Sequence, residues 1–141
     1  MSGSEAATPL VGIVVVSHSR RLADGVAELA RQMAGDDLPL EAVGGTPDGS
    51  IGTDADGIAA AINRADRGAG VLILADLGSA ILASRTAIEL IQPFDGRVLI
   101  SGAPLVEGAI VGAVQASIGM SLDEVAAAAA EARTMDKGVG P

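Results

Sequence analysis

Residues 14–25 read VVVSHSRRLADG. The apolar run that leads into them, Val11–Val16, is rich in β-branched residues and has no polar alternation. That composition marks a strand buried on both faces, as in a parallel sheet. From Arg20 the period changes. Leu22, Val26, Leu29, Ala30 and Met33 recur at helical spacing, which predicts a helix from about Arg20 to Ala34 with those residues on its apolar face. Gly35-Asp36-Asp37 stops it. The junction between the two patterns is Ser17-His18-Ser19, and His18 is the only histidine in the chain.

The same strand-to-helix change repeats downstream. Leu40–Val43 is a short second strand. Gly44–Asp54 (GGTPDGSIGTD) has loop composition, and Thr53 and Asp54 are candidate N-caps for a helix carrying Ile58, Ile62 and Ala65. Val71–Ala75 (VLILA) is a third strand, ended by Asp76, and Gly78-Ser79 opens a helix through about Ile91, closed by Pro93. Arg97–Ser101 is a fourth strand, and Pro104 starts the next helix. Ser121-Leu-Asp-Glu124 forms a capping box for an Ala-rich final helix. Strands alternating with helices predict an α/β domain with an open, mostly parallel sheet of about four strands and helices on both faces. The domain is expected over residues 10–136, between loose tails at 1–9 and 137–141.

Composition narrows the rest. The chain has 141 residues, 49% of them hydrophobic, yet only one Phe and no Tyr or Trp. Val, Ile, Leu and Ala therefore carry the packing, and such small side chains let backbones approach closely. A net charge of −9 argues against nucleic acid and anionic membrane surfaces, which need a basic footprint, and suits docking to basic patches on other proteins. The absence of Cys excludes disulfides and thiolate metal sites. One His and scattered acids make no ligand cluster, so no metal is expected. No signal-peptide pattern is visible, and no apolar stretch reaches the ~20 residues of a spanning helix. A cytoplasmic protein is the expectation.

In an open parallel sheet, ligands bind beyond the carboxyl ends of the strands, where strand order reverses. The residues there are Ser17-His18-Ser19, Gly52-Thr53-Asp54 and Asp76-Leu77-Gly78-Ser79. With a strand order of 2-1-3-4, the three loops surround one crevice, His18 in the middle and Asp76 beside it. A carboxylate that accepts Nδ1–H fixes the imidazole tautomer and stabilises positive charge during attack by Nε2. The helix N-termini at Ser19–Arg21 and Gly78–Ser79 suit an anion such as a transferring phosphoryl group. Plainer readings exist for each residue. A lone histidine at a strand end is commonly a surface or capping residue. Asp76 before a Gly-rich turn is often an N-cap. Ser17, Ser19, Thr53 and Ser79 are common turn and cap residues, and Arg20 and Arg21 fit a solvated helix face. The glycine-rich Gly44–Gly52 lacks the G-K-[ST] ending of a Walker loop.

The segments VSHSRRLADGVAELARQM, GGTPDGSIGTDADGI, VLILADLGSAILASRTAIEL and APLVEGAIVGAVQAS, spanning Leu10 to about Thr134, together resemble the DhaM family. These are phosphotransferase subunits of phosphoenolpyruvate-dependent dihydroxyacetone kinases, with an N-terminal domain similar to the mannose-type IIA proteins of the sugar phosphotransferase system. The resemblance implies that His18 is phosphorylated transiently on Nε2, taking phosphate from HPr and passing it to ADP held on DhaL, which serves DhaK. It implies no cofactor on this chain itself. Asp76 matches the acidic partner of the histidine, and Gly78 and Ser79 match the loop beside it. Ser19 and Thr53 become phosphate-supporting candidates, with Gly52 and Asp54 in the same loop. Arg20, Leu77 and Pro104 become candidates for partner docking. Mannose-type transport proteins usually read D-L-x-G-G-S after the third strand, whereas this chain reads Asp76-Leu-Gly-Ser-Ala, which favours the dihydroxyacetone branch. A sugar-transport IIA role and a non-catalytic interaction module are the alternatives. Family members are typically dimers, so a homodimer is expected. Some continue into HPr-like and enzyme-I-like domains; with a chain ending at Pro141, separate HPr and enzyme I are expected.

Overall fold

The computed structural model describes residues 8–140, so most of the expected N-terminal tail and Pro141 lie outside the described residues. The apolar run after Leu10 forms β1 (Gly12–Ser17), buried along its whole length. It is central. β2 (Leu40–Gly44) pairs parallel to one side of it and β3 (Val71–Ala75) to the other. β4 (Val98–Ser101) pairs parallel to β3, so the sheet order is 2-1-3-4, as expected.

Successive side chains of a strand point to opposite faces, and that alternation divides the interior into two layers. Ile13, Val15, Leu72 and Leu74 face α1 (Arg20–Ala34), α4 (Leu105–Ser117) and α5 (Leu122–Glu131). Val14, Val16, Val71, Ile73 and Ala75 face α2 (Ala55–Ala65) and α3 (Gly78–Leu90). A strand covered on both sides has no solvent face, which is why the sequence of β1 and β3 shows no polar alternation.

The helices take the caps that the sequence offers. Ser19 caps α1, its Oγ accepting from the Leu22 amide at 3.2 Å. Of the two candidates before α2, Asp54 is the cap, accepting from the Gly57 amide at 3.0 Å. Ser121 and Glu124 form both halves of the capping box on α5. Gly35 ends α1 with φ of +93°, a conformation open to glycine.

One expectation is overturned in part: Val26 and Ala30 of α1 are buried as expected, but the larger residues of the expected face are not. The buried face of α1 is Ala23, Val26, Ala27 and Ala30, while Leu22, Leu29 and Met33 are 43%, 46% and 60% exposed. The helix turns its smallest side chains inward because α1 lies directly against the sheet and α4. Alanines permit that approach, and leucines at those positions would push the layers apart. α4 behaves alike, burying Gly108, Ala109, Gly112, Ala113 and Ala116.

One close approach of this kind sets the start of α1. A Cβ built on Gly44, the last residue of β2, stands 2.4 Å from the Ser19 carbonyl oxygen and 2.7 Å from the Arg20 Cα. Backbone cannot yield as a flexible side chain does. We expect Gly44→Ala to lower stability by about 1–3 kcal/mol, read as a fall in the denaturant midpoint, and to displace the amide resonances of Ser19 and Arg20 in NMR spectra.

Candidate functional site

Val16 of β1 stands opposite Ala75 of β3, so Ser17 and Asp76 leave the sheet at the same level. The Asp76 amide donates to the Val16 carbonyl at 3.1 Å, carrying the ladder one step beyond the strand. This registration turns the Asp76 carboxylate onto the junction between β1 and α1. Its Oδ1 accepts from His18 Nδ1 at 2.9 Å and from the Leu77 amide at 2.8 Å. Its Oδ2 accepts from Ser17 Oγ at 2.9 Å and from the His18 amide at 3.0 Å. An ionised carboxylate has about four lone-pair positions, and each meets a donor here.

Two consequences follow. Burial pulls the Asp76 carboxyl upward, but the hydrogen bonds from the His18 amide, the His18 ring and Ser17, with the attraction of the ring, outweigh it and hold the group below its ordinary 3.8. Since the ionised carboxylate only accepts, the proton of the neutral ring lies on Nδ1, which leaves the lone pair on Nε2. Nε2 points away from the protein interior and meets Ser79 Oγ, which therefore donates to it.

The main chain of His18 is held as firmly as its ring. The amide binds Asp76, and the carbonyl accepts from the Gly52 amide at 3.0 Å. The loop after β2 thus reaches the histidine through Gly52. Thr53 follows in that loop and is not among the groups bonded to the His18–Asp76 pair, while the Asp54 carboxylate is occupied with capping α2. Ser19 lies beside the pair with its hydroxyl committed to the cap of α1 and its amide donating to Ser17 Oγ at 3.0 Å.

α3 begins with Leu77 as its N-cap and no side-chain cap. Asp76 is therefore no N-cap; its carboxylate is turned to His18. The Gly78 and Ser79 amides open the helix with no intrahelical acceptor. Beside them a cleft of about 240 Å³ runs between the ends of β3 and β4, lined by Asp76, Leu77, Gly78, Ile81, Ser101 and Gly102 among others. Leu77 and Pro104 are exposed at this end of the sheet. Arg20 is exposed as well, and its guanidinium lies 3.4 Å from Asp24 one helical turn on. Among the described residues there is no group of three or more potential metal ligands and no helix long and apolar enough to cross a membrane.

Residues 12–126 match EIIA-man, described as the PTS system fructose IIA component. A phosphoryl donor subunit DhaM of Listeria innocua (PEP-dependent dihydroxyacetone kinase 2) is 38% identical over 117 residues, which cover 82% of this chain and 94% of that one. The chain belongs to the EIIA-man family, on its DhaM branch. The DhaM subunit of Escherichia coli K12 is 42% identical over 120 residues, 82% of this chain. This EIIA-man chain spans only about a quarter of that relative's length. A crystal structure of a protein of unknown function superposes with a TM-score of 0.78 at 39% identity, covering 91% of this chain and 97% of that one.

The two residues least visible in the sequence are Ser17 and Gly44. Ser17 reads as a turn serine, and its one signal is its place at a strand end immediately before the histidine. Gly44 carries none, since its contact with Ser19 depends on how α1 crosses β2.

The carboxylate geometry is testable without partners. In Asp76→Asn an NH₂ group replaces one oxygen and must face two donors. We expect a loss of about 1–3 kcal/mol near neutral pH, measured by chemical denaturation. Because the Asp76 pKa is lower folded than unfolded, its contribution is present above the ordinary 3.8 and is lost as the pH falls through the depressed folded value. The gap between wild type and variant should narrow over that acidic window.

Proposed function

We propose that this chain is a phosphohistidine carrier. His18 takes a phosphoryl group from phospho-HPr, itself charged from phosphoenolpyruvate by enzyme I, and passes it to ADP on DhaL, which drives phosphorylation of dihydroxyacetone on DhaK. The observation that carries this reading is the His18 ring held by Asp76 at Nδ1, with Nε2 directed at the uncapped start of α3. The DhaM relatives are phosphoryl donor subunits by name, which supports the same acceptor.

The chemistry balances without an external proton carrier. The Nε2 lone pair attacks the donor's phosphorus as the donor's P–N bond breaks and its electron pair returns to the donor nitrogen. The Nδ1 proton stays in place throughout, and the positive charge of the phosphorylated ring lies against the Asp76 carboxylate. Every lone-pair position of that carboxylate already has a donor, so Asp76 orients and neutralises rather than taking the proton. Ser79 must release Nε2 for the attack. Its hydroxyl is then free to donate to a phosphoryl oxygen, alongside the Gly78 and Ser79 amides. In the second half-reaction a terminal phosphate oxygen of ADP attacks phosphorus, the P–Nε2 bond breaks, and the lone pair returns to the ring. Positioning and charge stabilisation are the main demands of phosphoryl transfer, and these groups supply both. The exposed Leu77 and Pro104 and the small residues around them fit a shallow docking surface. The reading includes a cytoplasmic location and a homodimer.

Incubation with phosphoenolpyruvate, enzyme I and HPr should add the mass of one acid-labile phosphoryl group, and addition of ADP-loaded DhaL should remove it. His18→Ala should abolish the gain. A gain that survives that substitution, or no gain in wild type, overturns the reading. A phosphorylated protein that discharges to a sugar-transport IIB component but not to DhaL assigns it to the sugar branch instead.

A further inference from the structure

We propose that Ser17 is a positioning residue for the reaction at His18. Its buried hydroxyl holds the Asp76 carboxylate and the first turn of α1 in one frame, and so fixes the direction of the histidine ring. This inference rests on the phosphocarrier reading for its kinetic consequence only; its structural part stands on the geometry.

Ser17 is 1% exposed, so water does not replace what its side chain provides. A hydroxyl has one proton to give and two lone pairs. The proton goes to Asp76 Oδ2 at 2.9 Å, and a lone pair receives the Ser19 amide at 3.0 Å. Ser19 in turn caps α1 through Leu22. One oxygen atom therefore joins the end of β1, the carboxylate after β3 and the start of α1, the three places from which the His18 ring takes its position. Of the four donors on Asp76, two are main-chain amides and one is the reacting ring. Ser17 is the remaining donor, and the one that can be removed without touching either the backbone or the nucleophile.

Loss of the hydroxyl leaves Oδ2 with the His18 amide alone and the Ser19 amide without its acceptor. The carboxylate then gains freedom to rotate about its own bond, and with it the ring that follows Oδ1. Among the described residues, His18 is the charged or titratable side chain that meets Asp76. α3 brings Leu77 and Ser79, the end of β4 brings Ser101 and Gly102, and Arg20 of α1 is turned to Asp24. A change in Asp76 titration is thus attributable to Ser17 and His18.

The test compares wild type with Ser17→Ala and with Ser17→Cys, a weaker donor of similar shape, after far-UV spectra show that each folds. NMR of the Asp76 carboxyl carbon follows its titration, and phosphoryl uptake from phospho-HPr is timed near neutral pH. In Ser17→Ala the Asp76 titration should move up by roughly one pH unit, the tenfold gain in proton affinity expected on losing a charge-assisted hydrogen bond. Uptake near neutrality should fall about tenfold, the scale typical of supporting partners around a reactive group. Ser17→Cys should fall between. Superimposable titrations in wild type and variants overturn the inference, as does a titration that moves while uptake keeps its rate. A wild type that accepts no phosphoryl group overturns the phosphocarrier reading instead, and the Asp76 titration alone then decides whether Ser17 holds the frame.

Discussion

The carboxylate of Asp76 ties together the end of the sheet at which the candidate chemistry stands. It is reached from β1 by the Ser17 hydroxyl, from the β1–α1 junction by the His18 amide and ring, and from the start of α3 by the Leu77 amide. A buried charge with fewer partners would be costly and would tend to neutralise itself by taking a proton. With four donors the balance reverses: hydrogen bonding outweighs burial and the group stays ionised. The charge that sets the histidine tautomer thus also helps to fasten two crossovers at the mouth of the crevice.

That arrangement depends on backbones lying close together. β1 and β3 are in contact along their lengths, and α1 and α4 pack inward mainly through alanine and glycine rather than through large side chains. The near absence of aromatic residues is the compositional trace of this. A core of Val, Ile, Leu and Ala fills thin layers, and thin layers keep the start of α1 within van der Waals reach of Gly44.

Much of the architecture was legible in the residues. β-branched runs marked β1 and β3, the change of period at Arg20 marked α1, and Ser121 with Glu124 marked α5. Given a sheet order of 2-1-3-4, the rule that places ligand sites at a reversal of strand order sets His18 beside Asp76, and the resemblance to the DhaM family implies the same pair. The inward face of α1 was misread because hydropathy favours the largest apolar residues, whereas close packing favours the smallest. Leu22, Leu29 and Met33 draw the prediction outward from Ala23 and Ala27. The role of Ser17 was hidden for a different reason. A hydroxyl's partners are set by three-dimensional register, here the alignment of Val16 with Ala75, and no local pattern encodes it. Asp54 and Thr53 were indistinguishable as caps because both residue types suit the position.

The double tether on the main chain of His18, amide to Asp76 and carbonyl to Gly52, bears on timing. With backbone and ring both fixed, the histidine has almost no conformations to lose when another molecule reaches it, so little ordering entropy opposes contact. The free energy of meeting a partner then has to come from the surrounding surface alone, which favours brief encounters with rapid separation. On the proposed phosphocarrier reading, in which His18 is loaded by one protein and unloaded by another, a rigid centre turns throughput into a matter of collision frequency and dwell time.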